Sequence, residues 1–360
     1  MILAGGRGTR FWPLSRKKRA KQLLALDDKQ TMIQQTVARL LALAPAKQFW
    51  VVTNRDLRPE ILRQLPKLRK NQIIAEPMGR NTAPAIGLVA FILQRTDPNA
   101  VVGLFPSDHV IANVERFHEV LAEGIEIAGS GENIVVLGIE PNRAETGYGY
   151  IEAASLASGN ARHVRRFTEK PNAERAAEFL RTGSFYWNSG IFLWSVRTIT
   201  NALIEHLPKT AALLETIASD FGTRKFAAAF KRLYPRCESI SVDYAVLEPR
   251  SAKGEQDSNI YCLRGDFGWN DLGSWTALHE HQIAKHMPAD GNQISARGIF
   301  TLNATGNYVH APGKFVAMVG VKDVVVVETD DAILVTTRES SQDVGKVVKH
   351  LDEKKLTKLV

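Results

Sequence analysis

The stretch 1–24, "MILAGGRGTRFWPLSRKKRAKQLL", sets a short apolar run before three glycines and then crowds seven arginines and lysines between Arg7 and Lys21. A glycine-rich loop after a strand can turn its amides toward an anion, so the stretch predicts a phosphate loop at the carboxyl edge of a sheet. Gly5, Gly6 and Gly8 allow a nucleotide to approach the backbone closely. Arg10 can grip phosphate oxygens through two parallel N–H bonds, and Lys21 offers a mobile point charge. Two common loops are excluded. A Walker loop needs Lys-Ser or Lys-Thr after its last glycine, and neither stands here. A dinucleotide fingerprint needs a third glycine where Phe11 stands. Arg16 to Arg19, taken alone, reads as a solvated basic run.

Outward from the loop, apolar β-rich runs alternate with helical patterns. "QFWVVTN" (48–54), "QIIAEP" (72–77), "AVVGLFPSD" (100–108) and "NIVVLGI" (133–139) read as buried strands. "TMIQQTVARLLAL" (31–43) keeps Ile33, Val37, Leu40 and Leu41 on one helical face. "APAIGLVAFILQRT" (83–96) is apolar nearly all round, which predicts a helix packed deep against a sheet. The alternation predicts an α/β fold: a Rossmann-like, mostly parallel mixed sheet flanked by helices, with ligands beyond the strand carboxyl ends. After about residue 285 the pattern changes to short strands broken at Thr305-Gly306, Pro312-Gly313 and Asp330-Asp331. We therefore expect a catalytic domain over 1–284 and a β-rich domain over 285–360. The latter closes in a helix around Val344, Val347, Val348 and Leu351, with Ser341 as its expected N-cap.

Composition narrows the function. The chain has 360 residues, 44% hydrophobic and 23% charged, which suits a soluble protein of one large and one smaller domain. A net charge of +8 favours acidic ligands: nucleotides, sugar phosphates or nucleic acid. Nucleic acid is disfavoured because no helix-turn-helix, finger or RNA-binding aromatic signature accompanies the charge. No run of eighteen apolar residues exists, so no membrane span is expected, and the initial apolar stretch is too short for a signal-peptide core. Cys237 and Cys262 form no C-x-x-C pair and read as buried thiols of a cytoplasmic protein.

Further motifs fall at strand ends. "EPMGRNTAPAI" carries Glu76, Arg80, Asn81 and Thr82 between a strand and a helix start, and "FPSDH" ends a strand in Asp108. "GDFGWNDLGSW" supplies Asp266, Asn270 and Asp271; two aspartates from separate strand ends could hold one Mg²⁺ that keeps several waters. These motifs, with "LAGGRGTRFWPLSR", "TGYGYI", "RFTEKP", "WNSGIFLW" and "GWNDLGSW", occur in the order found in bacterial mannose-1-phosphate guanylyltransferases, and the chain resembles that family over roughly residues 1–280.

The resemblance implies the following. Leu3, Ala4, Gly5, Gly6, Gly8, Thr9 and Arg10 hold guanine, ribose and triphosphate, with Arg10 and Lys21 on the phosphates. Glu76, Arg80, Asn81 and Thr82 lie along the base and ribose, and Asp108 and Asp271 are the Mg²⁺ ligands. Gly147, Glu169, Lys170 and Asn188 line the mannose 1-phosphate pocket, with Lys170 on its phosphate. The substrates are then GTP and mannose 1-phosphate, Mg²⁺ is the cofactor, and the C-terminal part is a short left-handed β-helix-like unit of the kind that serves assembly or packs on the catalytic domain, making a homodimer an expectation. The runner-up is a related enzyme that uses UTP or dTTP with another hexose 1-phosphate. His109, beside the metal candidate Asp108, reads either as a residue that supports the metal ligands or as structural. Relatives carry several strand residues before the glycine loop, where here only Met1 and Ile2 precede it, and a proline where Ala20 precedes Lys21, which predicts a less rigid turn. Many relatives continue into an isomerase domain; the stop at Val360 predicts a single function.

Overall fold

Apolar residues on successive positions of the strands face opposite sides of one sheet, and helices cover both. In the computed structural model, which describes residues 1–360 except the side chain of Ser158, eleven strands make up the first part of the chain. They are β1 (Ile2–Leu3), β2 (Val51–Asn54), β3 (Ile73–Glu76), β4 (Val101–Pro106), β5 (Val110–Ile111), β6 (Ile134–Ile139), β7 (Tyr150–Ser158), β8 (Ala161–Thr168), β9 (Phe185–Ser195), β10 (Ile260–Arg264) and β11 (Trp269–Asn270). Nine of them form one sheet in the order β3-β2-β1-β4-β9-β6-β10-β8-β7. β3, β2, β1 and β4 run parallel, as the alternation with helices implies. β9 enters antiparallel between β4 and β6, and β8 and β7 continue antiparallel beyond β10. The parallel character is therefore confined to the first half and to the β6–β10 pair.

Val51, Ile73, Val135 and Leu137 pack in one core with the helices Met32–Leu40 and Val114–Gly129. Val52, Ile74, Ile134 and Val136 pack in the other, with the helices Thr82–Gln94 and Val196–His206. The helix Thr82–Gln94 is buried without interruption from Ala83 to Ile92, which is why its sequence shows no polar face.

A second sheet follows. β12 (Gln293–Leu302), β13 (Tyr308–Val319) and β14 (Val324–Glu328) stack in parallel, and β15 (Ile333–Thr337) pairs antiparallel with β14. Buried asparagines tie the stacked turns: Asn307 Nδ2 donates to Asn292 Oδ1 at 2.9 Å, and Asn307 Oδ1 accepts from the Val324 amide at 2.9 Å. Side-chain amides suit this position because each can satisfy a donor and an acceptor of the turn above or below it. The last helix spans Val344–Glu353, and Ser341 does not cap it. Ser341 lies in the preceding 3-10 turn, where its hydroxyl shares a 2.8 Å hydrogen bond with Thr276 Oγ1. Among the described residues no helix is long and apolar enough to cross a membrane.

Candidate active site

The glycine loop leaves β1 and is held from behind by side chains. Thr53 Oγ1 donates to the Ala4 carbonyl at 2.9 Å, Asn54 Nδ2 to Gly5 at 3.2 Å, and Gln22 Nε2 to Gly6 at 3.0 Å. A trans peptide sets its N–H opposite its C=O. Fixing these carbonyls therefore turns the amides of Gly5, Gly6 and Arg7 away from those side chains, and all three residues are solvent-exposed. Gly8 has φ +61°, and a Cβ there would stand 2.3 Å from Lys21 Cβ. Both the backbone and the space demand glycine. Gly8→Ala should accordingly displace Lys21 and cost about a hundredfold in turnover or more, read by steady-state kinetics alongside a circular dichroism spectrum that stays native.

Lys21 is not a mobile charge. It is buried, its Nζ donates to Asp108 Oδ2 at 2.8 Å, and it also donates to the Asp271 backbone carbonyl. Ala20 before it is fully buried and holds φ −69°, the value a proline ring imposes, so packing supplies the rigidity that a ring otherwise would. The two aspartates, far apart in sequence, are brought together by a short ladder. β5 pairs antiparallel with β11, setting Val110 opposite Asn270; Asp108 lies just before one strand and Asp271 just after the other. Asn270 Oδ1 accepts from the Leu272 amide at 2.7 Å, and Leu272 is forced to φ +42°. Such strain costs about 1–3 kcal/mol and persists where the surroundings over-determine the backbone.

Burial alone would raise the Asp108 carboxyl, but the Lys21 ammonium and the hydrogen bond it makes hold it below the ordinary range. Burial pushes His109 down to about 4, so the ring is neutral; its Nδ1 accepts from Trp269 Nε1 at 3.1 Å, which places the ring proton on Nε2. His109 braces the ladder as a structural residue. Tyr148 donates to Asp271 Oδ1 at 2.5 Å, and burial with that carboxylate raises its phenol, which stays protonated. Two carboxylates are hard oxygen donors. No group of three or more histidine, cysteine or acidic residues gathers among the described residues. A cation on this pair would complete its shell with water and substrate oxygens, which is the habit of Mg²⁺.

Beyond the aspartates opens a cleft of about 230 Å³. It gathers Leu3, Thr82, Gly147, Glu169, Lys170, Asn188 and Asp271 from six separate parts of the chain. Lys170 has φ +45° and its Nζ pairs with Glu169 Oε1 at 2.9 Å, while Glu169 Oε2 is buried with no partner. The sequence reading missed Tyr148, Asp243 and Trp269 on the same wall. Asp243 begins a π-helical turn, Asp243–Leu247, and accepts from Asn188 Nδ2 at 2.9 Å. π-turns recur at functional sites, but a five-residue irregularity leaves no periodicity to read. Burial, and then the nearby Glu169, raise the Asp243 carboxyl to about 6.

That shift has a stability consequence. The folded state binds the proton more tightly than the unfolded chain, so ionising Asp243 lowers stability as pH rises from about 4 through about 6. Asp243→Asn should therefore raise the thermal midpoint at pH 7.5 relative to the parent, with the gain vanishing near pH 4. A lowered midpoint at pH 7.5 would contradict the assignment.

On the far side of the loop, Glu76 is buried at the end of β3, and Tyr234 donates to its Oε1 at 2.7 Å. Burial raises the Glu76 carboxyl. A Cβ placed on Gly5 would lie 3.7 Å from Glu76 Oε2, so this oxygen faces the glycine loop. Asn81, at φ +65°, caps the helix Thr82–Gln94 by accepting from the Thr82 amide, and Thr82 Oγ1 accepts from Val242. Arg80 donates through Nη2 to the Pro235 carbonyl. Arg10 is exposed, and its Nη1 and Asp271 Oδ2 both flank Gly273, where a Cβ would meet them at 3.4 and 3.2 Å.

A glycine loop at the carboxyl edge of a half-parallel sheet, two aspartates bridged by a lysine, and an adjoining polar cleft define a nucleotidyltransferase. Residues 1–286 match the family model described as Nucleotidyl transferase, and residues 299–351 match that of the MannoseP isomerase/GMP-like beta-helix domain. Mannose-1-phosphate guanylyltransferases of Klebsiella pneumoniae and Escherichia coli K12 are each 37% identical over 361 residues. Both alignments cover 98% of this chain, and 74% and 73% of those proteins respectively. A crystal structure named mannose-1-phosphate geranyltransferase, from Thermus thermophilus, superposes with a TM-score of 0.84 at 30% identity, covering 98% of each chain. The chain belongs to the mannose-1-phosphate guanylyltransferase family.

Proposed function

We propose that this chain transfers GMP from GTP to α-D-mannose 1-phosphate, giving GDP-mannose and pyrophosphate. The observation that carries the reading is the position of Lys21, Asp108 and Asp271 between the glycine loop and the cleft. A triphosphate on the loop and a sugar phosphate in the cleft would meet there. An oxygen of the sugar phosphate attacks the α-phosphorus in line, and the bond to the β-phosphate oxygen breaks as pyrophosphate leaves. The attacking group is already an anion at neutral pH, so no protein nucleophile is required.

The protein's task is then to bring like charges together and to stabilise charge on the transferring group. The outward amides of Gly5, Gly6 and Arg7 receive triphosphate oxygens, and Arg10 holds the departing pyrophosphate. Lys21 fixes Asp108 and the Asp271 backbone at the point of transfer. Mg²⁺ on Asp108 and Asp271 would supply further charge neutralisation on the phosphate oxygens. Lys170 binds the phosphate of the sugar substrate, with Glu169, Asn188 and Gly147 about the hexose. Glu76, which Tyr234 holds against the loop, accepts from the base. A carboxylate there suits guanine, whose N1–H and N2 amine form two adjacent donors; uracil and thymine offer a single N–H between two carbonyls.

Pyrophosphate release measured with each of four triphosphates against mannose and glucose 1-phosphates, with and without Mg²⁺, tests the reading. The expected result is turnover with GTP, mannose 1-phosphate and Mg²⁺ above all other combinations. Preference for UTP or dTTP would replace it with the related hexose 1-phosphate activity.

A further inference from the structure

The seat of Arg10 lies outside the nine-stranded sheet. Its Nη1 donates to Gln342 Oε1 at 2.8 Å. The backbone of Gly345 approaches so closely that a Cβ there would meet Thr9 Oγ1 at 3.4 Å and Arg10 Cγ at 3.8 Å. Arg7 reaches Asp352 at 3.2 Å, and Trp12 Nε1 donates to the Leu359 carbonyl at 2.8 Å. Beneath these contacts Phe11 and Trp12 share one apolar cluster with Trp275, Val344, Val348 and Leu351. The second half of the nucleotide loop is thus built onto the C-terminal helix Val344–Glu353 and the turn before it.

We propose that Gln342 is a positioning residue of the transfer reaction, aiming the Arg10 guanidinium at the triphosphate, and that the C-terminal region is thereby part of the nucleotide site. The inference rests on the loop being the seat of GTP. An exposed arginine carries about 2 kcal/mol of rotamer entropy, which must be lost before it can hold a phosphate in a fixed geometry. An amide oxygen can fix the fork through one N–H while leaving its other donors free and its charge uncompensated. A carboxylate in the same place would neutralise that charge and compete with the phosphate.

The neighbouring side chains fit this division. Asp343, the adjacent acid, is drawn off to Lys346 at 2.8 Å. Arg7, by contrast, is met by a carboxylate, so it tethers the loop while Arg10 keeps its charge for the ligand.

The test is steady-state kinetics on the full chain carrying Gln342→Ala or Gln342→Glu, each alone and with Arg10→Ala. Gln342→Ala should lower kcat/KM for GTP by about two- to tenfold, the range of one hydrogen bond, with the KM for mannose 1-phosphate and the thermal midpoint unchanged. Gln342→Glu should lose more than the alanine variant, because its charge cancels that of Arg10. On the Arg10→Ala background neither change should reduce activity further. Parent-like kinetics in Gln342→Ala, an equal loss with and without Arg10, or a fallen midpoint with every parameter scaled together would overturn the proposal. The parent run separates the two levels. If it forms no GDP-mannose from GTP, the functional reading falls and this inference with it; if it does and Gln342→Ala matches it, this inference alone falls.

Discussion

Lys21→Met should reduce GDP-mannose formation by about a hundredfold or more, because one side chain organises both aspartates and the turn beside them. The ammonium bonds Asp108 and the Asp271 carbonyl at once, and its aliphatic stem fills the space that Gly8 leaves open. Methionine preserves the stem and deletes the charge. Breaking a fully buried ion pair costs about 3–5 kcal/mol. Asp108 keeps 35% of its side chain exposed, so the loss here should be nearer about 2 kcal/mol.

The pH dependence has a definite sign. Asp108 is held below its ordinary range, so its pair contributes stability above the unfolded carboxyl value and loses it as pH falls through the lower folded value. Removing Lys21 leaves burial to raise the carboxyl, so the variant should be destabilised at pH 7 and approach the parent in strongly acid solution. Urea unfolding at both pH values, beside initial rates, checks this. Parent-like activity would remove Lys21 from the chemistry.

Arg10→Ala should cost on the order of a hundredfold in turnover, in line with the loss of other preorganised charge clamps. Its signature should differ from that of Lys21→Met. Arg10 is exposed and bonded to a neutral amide, so the thermal midpoint should hardly move. The loss should appear in kcat as well as in the KM for GTP, because a group that stabilises the leaving pyrophosphate acts most strongly in the transition state. A KM effect alone would reduce Arg10 to a binding contact.

The glycine loop was legible because glycines, unlike most residues, encode backbone geometry directly, and Gly8 holds a positive φ. The buried strands were legible for a related reason, since a sheet covered on both faces writes itself as unbroken apolar runs such as Ile134–Ile139. Strand direction is not written that way, and the antiparallel entry of β9 had no local signal. Asp108 and Asp271 stood out through family resemblance; what joins them is the pairing of Val110 with Asn270, a contact between residues too far apart for any periodicity to reveal. Arg16 shows the same limit from the other side. It sits in a run that reads as solvated, and Lys17, Lys18 and Arg19 are exposed. Arg16 itself bonds Asp331 at 2.7 Å and the Leu359 carbonyl, because the C-terminal region folds back over it. Charge patterning describes a residue's own element and is silent about partners arriving from elsewhere in the chain.

The central claim is that the phosphates of GTP are exchanged for a sugar phosphate and are not hydrolysed. The most direct measurement follows label from GTP carrying ³²P at either the α or the γ position, incubated with the chain, mannose 1-phosphate and Mg²⁺. The account predicts that α-label passes into GDP-mannose and γ-label into pyrophosphate, both only when the sugar phosphate is present. Label released as inorganic phosphate, or as GMP without sugar attached, would contradict it.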